Sequence, residues 1–420
     1  MRNWAGNITF AASEIRRPAS VEELQHVVHG AGQVRAVGTG HSFNEIADTT
    51  GTLVSLRDLK LPIEVLESGS MAVVPAGATY AEVAAELHQR GWALPNLGSL
   101  PHITVGGACA TGTHGSGVGN GCLASTVSGV ELVRADGGLV ELHEGHPDFP
   151  GAVLSLGLLG VATRLWLRIE PTFDVSQEVL LDVPLAVAVE RTEEILASAY
   201  SVSIFSAFGR PGIVDSVWCK HRLDAVGNRS RTANLRETWG GSRATVDVHP
   251  LLGLDARAAT EQGGRPGPWH QRLPHFRAEF TPSVGDELQS EYFLPRRHAQ
   301  AALQALGDRA GAFSAALQVF EMRTIAADDL WLSPFRGRDS VAVHATWVSD
   351  LDTVRPALRE LEAALEPFDP RPHWGKVSLG FDATRLADLY PAMNQFQELA
   401  DRLDPDQCFV NDYVRRLGVR

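Results

Sequence analysis

Cysteine is scarce and scattered. The four in 420 residues, Cys109, Cys122, Cys219 and Cys408, are too few and too far apart for a disulfide framework or a CxxC metal site, and a reduced interior is expected. No run of Lys and Arg occurs. With 37 basic against 50 acidic side chains the net charge is −13, so the chain lacks the electrostatic footprint of a nucleic-acid or anionic-membrane binder. No segment reaches the roughly 18 consecutive apolar residues of a membrane span, and the opening MRNWAGNITF has no basic stretch followed by an apolar one. A soluble, cytoplasmic, monomeric protein is the expectation. HxH, HExxH and Cys/His clusters are missing as well, so no metal is expected.

What is present is apolar bulk. A chain of 420 residues that is 44% hydrophobic can bury a large core, and at ~100–200 residues per domain it holds about two or three domains. Up to Pro171, short β-branched runs (VRAVGTG, MAVVPAG, GVELVRA, GLVELH, VATRLWLRIEP) alternate with glycines and helix-like stretches, which predicts an α+β domain. TYAEVAAELHQRGW reads as a helix capped by Thr79, with Val83, Ala84 and Leu87 on its apolar face and Gly91 after the last turn.

From about Val175 to Pro370 the texture changes. Amphipathic stretches such as RRHAQAALQALGDRA and TVRPALRELEAALEP alternate with strand-like runs ELQSEYFLP, ALQVFEMRTI and SVAVHATWV, which predicts a second domain. Residues 222–275 are rich in Gly, Pro, Arg and Asn and read as a long loop excursion. The tail, from RPHWGKVSLG to FVNDYVRRLG, returns to short motifs and is expected to rejoin the first domain. The predicted organisation is therefore 1–172, 173–372 and 373–420.

In AVGTGHSF, Gly38 and Gly40 follow a strand and permit positive φ, so that backbone N–H groups can converge on an anion. The turn lacks the Lys of a P-loop, and no glycine closes a GxGxxG. Alone it is also an ordinary tight turn. A second segment, NLGSLPHITVGGACATGTHGSGVGNG, packs small residues so densely that its backbone must approach something large and flat or phosphate-bearing, and the two together suggest a dinucleotide cofactor.

Strand periodicity puts Glu321 with Arg323 on one face, His344 with Thr346 on another, and Gln289 with Glu291 on a third. Polar groups on otherwise apolar strands are either paired structurally or used, and the residues alone leave both readings open. HWGK adds Lys376 after an aromatic.

VGTGHSF, GSLPHITVGGACATGTHGSG and LGLLGVATRLWL resemble the FAD-binding domain of the vanillyl-alcohol oxidase family, in its sugar-alcohol (alditol) and aldonolactone oxidase branch. The similarity runs nearly end to end, through NWAGNITF, GPWHQRLPHFRAEFTPS, RPHWGKV and FVNDYVRR. It implies an α+β fold, with an FAD-binding domain of two subdomains plus an α+β substrate (cap) domain with an antiparallel sheet. It also implies FAD bonded covalently through His41, and contacts to the cofactor from Ala36, Val37, Gly38, Thr39, Gly40, Ser42, Gly98, Ser99, Thr104, Gly107, Ala108, Cys109, Ala110, Thr111, Val161, His373 and Lys376. A small residue at Gly98 is associated in the family with oxygen access.

For the substrate side the resemblance implies a pocket of Ser99, Gln289, Glu321, Arg323, His344, Thr346 and Lys376, with Lys376, Arg323 and Glu321 catalytic. The implied reaction converts the primary alcohol of a polyol to an aldehyde while O2 becomes H2O2. Lys376 is the first choice for the group that takes the hydroxyl proton. An aldonolactone oxidase or dehydrogenase, or a flavin-binding protein without catalysis, is the alternative. His373 reads equally as a flavin contact or a packed core residue; Cys109 and Cys122 read as small core residues, and His102 as structural.

Overall fold

A computed structural model describes residues 1–67, 69–223, 239–280 and 286–420. Beside the two-stranded pairing of Trp92–Ala93 with Glu170–Pro171, its N-terminal part carries two sheets. In the smaller, Thr52–Ser55 lies between Glu14–Arg16 and Val34–Val37, all three parallel. In the larger, five antiparallel strands run in the order Glu64–Val65, Met71–Pro75, Val161–Arg168, Val127–Val133 and Leu139–His143. These are the β-branched runs of the sequence, and Val161–Arg168 alternates buried with half-buried side chains as a one-sided strand must.

The helix Tyr80–Gln89 forms where its pattern predicts. The Thr79 hydroxyl accepts from the Glu82 N–H (3.2 Å) and the Glu82 carboxylate accepts from the Thr79 N–H (2.8 Å), a reciprocal cap. Tyr80, Val83, Ala84 and Leu87 are buried on one face, and Gly91, at φ +81°, turns the chain away.

The second half is dominated by an antiparallel sheet of nine strands. Its order is Ser242–Arg243, Asp174–Pro184, Ile213–Arg222, Ser201–Ser206, Leu317–Ile325, Ser340–Val348, Glu287–Pro295 and Arg371–Pro372, with Gly267–Pro268 pairing beside Asp174–Pro184. The helices Ala299–Arg309 and Leu351–Leu365 lie on one face. There Leu303, Leu306, Val354, Leu358 and Leu361 share a core with Phe320, Met322, Val341, Val343, Ala345, Trp347, Leu288, Tyr292 and Leu294. Because side chains alternate along a strand, the intervening residues point the other way, and Gln289, Glu291, Glu321, Arg323, His344 and Thr346 are among them.

The C-terminal residues pack on the first domain. Val34 N–H donates to Cys408 O (2.8 Å) and the Arg35 guanidinium to Phe409 O (2.8 Å), while the Asn411 amide donates to the carbonyls of Glu45 (2.9 Å) and Asp48 (2.7 Å).

The expectation of a loop excursion over 222–275 needs correction. Residues 224–238 lie outside the described residues, but the rest contributes two short strands to the large sheet, and the N–H groups of His275 and Phe276 both donate to Ser99 O (3.1 and 3.2 Å). These ties use backbone groups, which leave no hydrophobic period in the sequence.

Candidate active site

One cleft of about 970 Å³ runs between the glycine-rich turns and the polar face of the large sheet. That is the top of the range of about 300–1,000 Å³ usual for ligand pockets. Its wall in the first domain is built from the two glycine-rich segments: residues 35–43, 99–100, 103–104, 106–108, 110–111 and 113–114 line it. The glycines there are required by space. A Cβ on Gly38 would stand 2.0 Å from Thr104 Oγ1, so the first turn lies directly against the second, and one on Gly106 would stand 2.9 Å from the Ala76 Cβ. Gly40 takes φ +72°.

His41 leaves the first turn half exposed in this cleft. Its ring stacks on Trp4 (centroids 4.8 Å apart, planes at 20°), and Nδ1 lies 2.9 Å from Thr39 Oγ1. Burial, helped by the nearby His102, pulls its pKa down to about 4, so the imidazole is neutral at ordinary pH. The turn is locked to the HWGK segment: Phe43 N–H donates to Gly375 O (2.7 Å), and the Asn44 amide donates to the carbonyls of Trp374 and Lys376 (2.8 Å each).

The opposite wall is polar and ordered by sheet register. Glu291 pairs with His344 and His344 with Glu321, so these three form a row across three strands, and Gln289 pairs with Thr346 one step along. Arg323 is held on three sides. Its Nη1 donates to Ser99 Oγ (3.0 Å) and its Nη2 to Glu291 Oε1 (3.2 Å), while Nε lies 3.2 Å from Glu321 Oε1. Lys376 Nζ reaches Glu291 Oε2 (3.0 Å) and His344 Nδ1 (2.9 Å), and His344 Nε2 faces Thr346 Oγ1 (3.2 Å).

The charges follow from these contacts. Burial alone would raise the Glu291 carboxyl, but Lys376, His114 and His344 hold it well below the usual carboxylate range. Glu321 behaves alike, with Arg323 and His275 outweighing its burial. Burial lowers Lys376 from its ordinary value against the pull of Glu291. Burial and Lys376 keep His344 neutral, so its Nδ1 accepts from the ammonium and its Nε2–H donates to Thr346.

All seven residues expected on the substrate side line the cleft, as do Ala36 to Ser42, Thr104, Gly107, Ala108, Ala110, Thr111 and His373. Three expected cofactor contacts do not. Cys109 turns inward on its helix to Tyr80 Oη (3.5 Å), and the Val161 side chain is buried while its neighbours Gly160 and Ala162 reach the cleft. Gly98 sits behind the wall among Thr113, His114 and Ile103. His373 lines the cleft and is also buried, its Nδ1 accepting from Gly375 N–H (3.0 Å).

The expected set omitted Glu291, His114 and His275. Glu291 was visible two residues beyond Gln289, in step with it. His114, whose Nε2 lies 3.0 Å from Glu291 Oε1, and His275, whose Nε2 lies 2.7 Å from Glu321 Oε1, sit on loops, where no period points to them.

Comparison with known proteins agrees with this geometry. Residues 12–143 match the family model described as an FAD binding domain, and residues 286–417 match that of D-arabinono-1,4-lactone oxidase. With the glycine cradle and the cleft, they make the protein an FAD-dependent oxidoreductase of α+β fold. The chain is 49% identical to the alditol oxidase of Streptomyces sp. (strain IKD472 / FERM P-14339), over 99% of this chain and 98% of that one. It is 30% identical to the L-gulono-1,4-lactone dehydrogenase of Mycobacterium tuberculosis, over 99% and 98% of the two chains. The cholesterol oxidase of B. sterolicum shares the fold, with a TM-score of 0.79 at 12% identity over 99% and 96% of the two chains. The chain belongs to the vanillyl-alcohol oxidase family, in its branch of sugar-alcohol and aldonolactone enzymes.

Proposed function

We propose that this protein is an FAD-dependent alditol oxidase, which converts the primary alcohol of a polyol such as xylitol or sorbitol to the aldehyde with release of H2O2. The observation that carries the reading is the row Glu291, His344 and Glu321 across three strands, flanked by Lys376 and Arg323 and facing the glycine-rich cleft. Bound FAD would supply the two-electron acceptor for the alcohol carbon, with O2 as the final oxidant. The residues from Ala36 to Ser42 and from Thr104 to Thr111 would hold it, with His41 as the point of covalent attachment. A neutral imidazole, steadied by Trp4 and Thr39, suits that role.

Ser99, Gln289, Glu321, His344 and Thr346 bind the polyol hydroxyls. Such a row discriminates against deoxy analogues, because each unfilled partner stays unpaired. Arg323 and Lys376 stabilise the hydroxyl oxygen as it loses its proton. Lys376 takes that proton: burial has lowered its affinity for one, and its ordinary partner Glu291 keeps it in place. Activity is therefore expected to rise with pH through a pKa below 10.5, and Lys376→Met to abolish the rise.

The match of residues 286–417 to a lactone oxidase model favours a second reading, an aldonolactone oxidoreductase. The test is peroxide release with xylitol and with L-gulono-1,4-lactone, together with inspection of acid-precipitated protein for flavin colour. Greater turnover of xylitol and a yellow pellet support the proposal. Greater turnover of the lactone replaces the substrate class, and a colourless pellet from active protein removes the His41 bond alone.

A further inference from the structure

Behind the pocket lies a buried lysine that the reaction does not use. Lys220, on the strand Ile213–Arg222, is almost fully buried and places Nζ 2.5 Å from Leu273 O, 3.0 Å from Pro274 O and 3.3 Å from His275 Nδ1. An ammonium has three hydrogens and no acceptor, so these three partners satisfy it in full. His275 then has no choice of tautomer. Its Nδ1 must accept from the ammonium, so its ring hydrogen sits on Nε2 and is donated to Glu321 Oε1 at 2.7 Å.

We propose that Lys220 and His275 form a positioning pair: the ammonium fixes the His275 tautomer, and the resulting N–H holds Glu321 in the orientation that receives Arg323 and a substrate hydroxyl. The proposal rests on the polyol oxidase reading of the pocket. His275 also anchors the wall itself, since its backbone N–H donates to Ser99 O (3.1 Å) beside the hydroxyl that receives Arg323.

The pair is sensitive to pH. Burial depresses Lys220 to about 7, against the opposing pull of Glu321 and with the help of Arg323. Among the described residues, those two and His275 are the charged and titratable groups that face it; its cross-strand partners Gln177 and Ser201 are uncharged. Below that pH the ammonium is present and the tautomer is locked. Above it the neutral amine has two hydrogens for its two carbonyls and turns a lone pair toward Nδ1, so the Nδ1–H tautomer competes and Glu321 loses its donor.

The expected result is a KM for xylitol that rises as pH increases through about 7. Lys220→Met should raise KM about tenfold, with little change in kcat and no remaining pH step, as loss of a charge-assisted hydrogen bond to the binding carboxylate demands. His275→Leu should behave alike, and His275→Gln, which keeps an N–H near the Nε2 position, should recover most of the loss. A Lys220→Met enzyme with the native KM and pH step overturns the proposal. If that variant fails to retain flavin, equal KM values for His275→Gln and His275→Leu overturn it instead. If the native enzyme oxidises no polyol, the functional reading fails separately. The pair is then decided by nitrogen chemical shifts of His275 in the flavin-loaded protein: an Nε2–H tautomer lost in Lys220→Met upholds it, and an Nδ1–H tautomer in the native protein overturns it.

Discussion

Glu291 shows how much one side chain decides at the residue scale. Its two carboxylate oxygens receive Lys376, Arg323 and His114 at 3.0, 3.2 and 3.0 Å, and the side chain itself is buried. Removing a buried charge from such a cluster costs about 3–5 kcal/mol, because its partners remain buried and unpaired. Glu291→Gln is therefore expected to lower stability by several kcal/mol in urea unfolding and to cut kcat/KM. Unaltered stability of Glu291→Gln would remove the carboxylate from the centre of the network. Gly98 supports a finer experiment. A Cβ there would meet Thr113 Cγ2, His114 O and Ile103 Cδ1 at 3.5, 3.6 and 3.9 Å, ordinary contacts, so Gly98→Ala is expected to fold normally. If Gly98 keeps a route open for O2, the variant reoxidises more slowly in stopped-flow while reduction by the polyol keeps its rate.

Among the elements, the two glycine-rich turns and the Tyr80–Gln89 helix make opposite predictions. Gly38→Ala drives a methyl into Thr104 Oγ1, and the two turns cannot separate without opening the cleft, so the purified variant is expected to lose most of its flavin absorbance. Thr79→Ala removes the reciprocal cap, and should lower stability by about 1 kcal/mol without the clash between turns that Gly38→Ala brings. The strands of the large sheet follow the same logic of position. Glu287–Pro295, Leu317–Ile325 and Ser340–Val348 each present apolar residues to the helices and polar ones to the cleft, so a one-residue slip in any of them would bury charge against leucine. The sheet's register and the pocket's composition are thus one constraint.

For the whole molecule the consequence is acid sensitivity. Burial pulls His270 and His275 down to about 4, and His114, His221, His249, His344 and His373 below their ordinary 6.5. The unfolded chain binds protons below pH 6.5 that the folded chain refuses, so stability falls as pH drops from there toward about 4. The depressed carboxyls act in the same sense lower down. The ion pairs of Glu291 and Glu321 contribute fully above the ordinary 4.5 and are lost as pH falls below it. The urea midpoint of the flavin-loaded protein, followed by tryptophan fluorescence, is expected to drop steadily between about pH 7 and pH 5. A flat midpoint over that range would mean that these imidazoles are not held neutral in the fold.

The sequence alone determined what local periodicity and close approach can encode. The alternation in ELQSEYFLP and SVAVHATWV placed strands at Glu287–Pro295 and Ser340–Val348 and grouped Gln289, His344 and Thr346 by face. The density of glycines marked the cradle, and the motifs VGTGHSF and GSLPHITVGGACATGTHGSG led to the family and to FAD. Only the tertiary structure decided which polar faces meet, because cross-strand register joins residues as distant as Glu291, Glu321 and His344 without leaving any trace in sequence spacing. It alone placed His114, Lys220 and His275 beside that row, for they reach it from loops and from a strand two places away. It also moved Cys109 and Val161 off the cleft, since a helix or strand turns alternate side chains inward and a motif match does not record which atom of a residue faces the cavity.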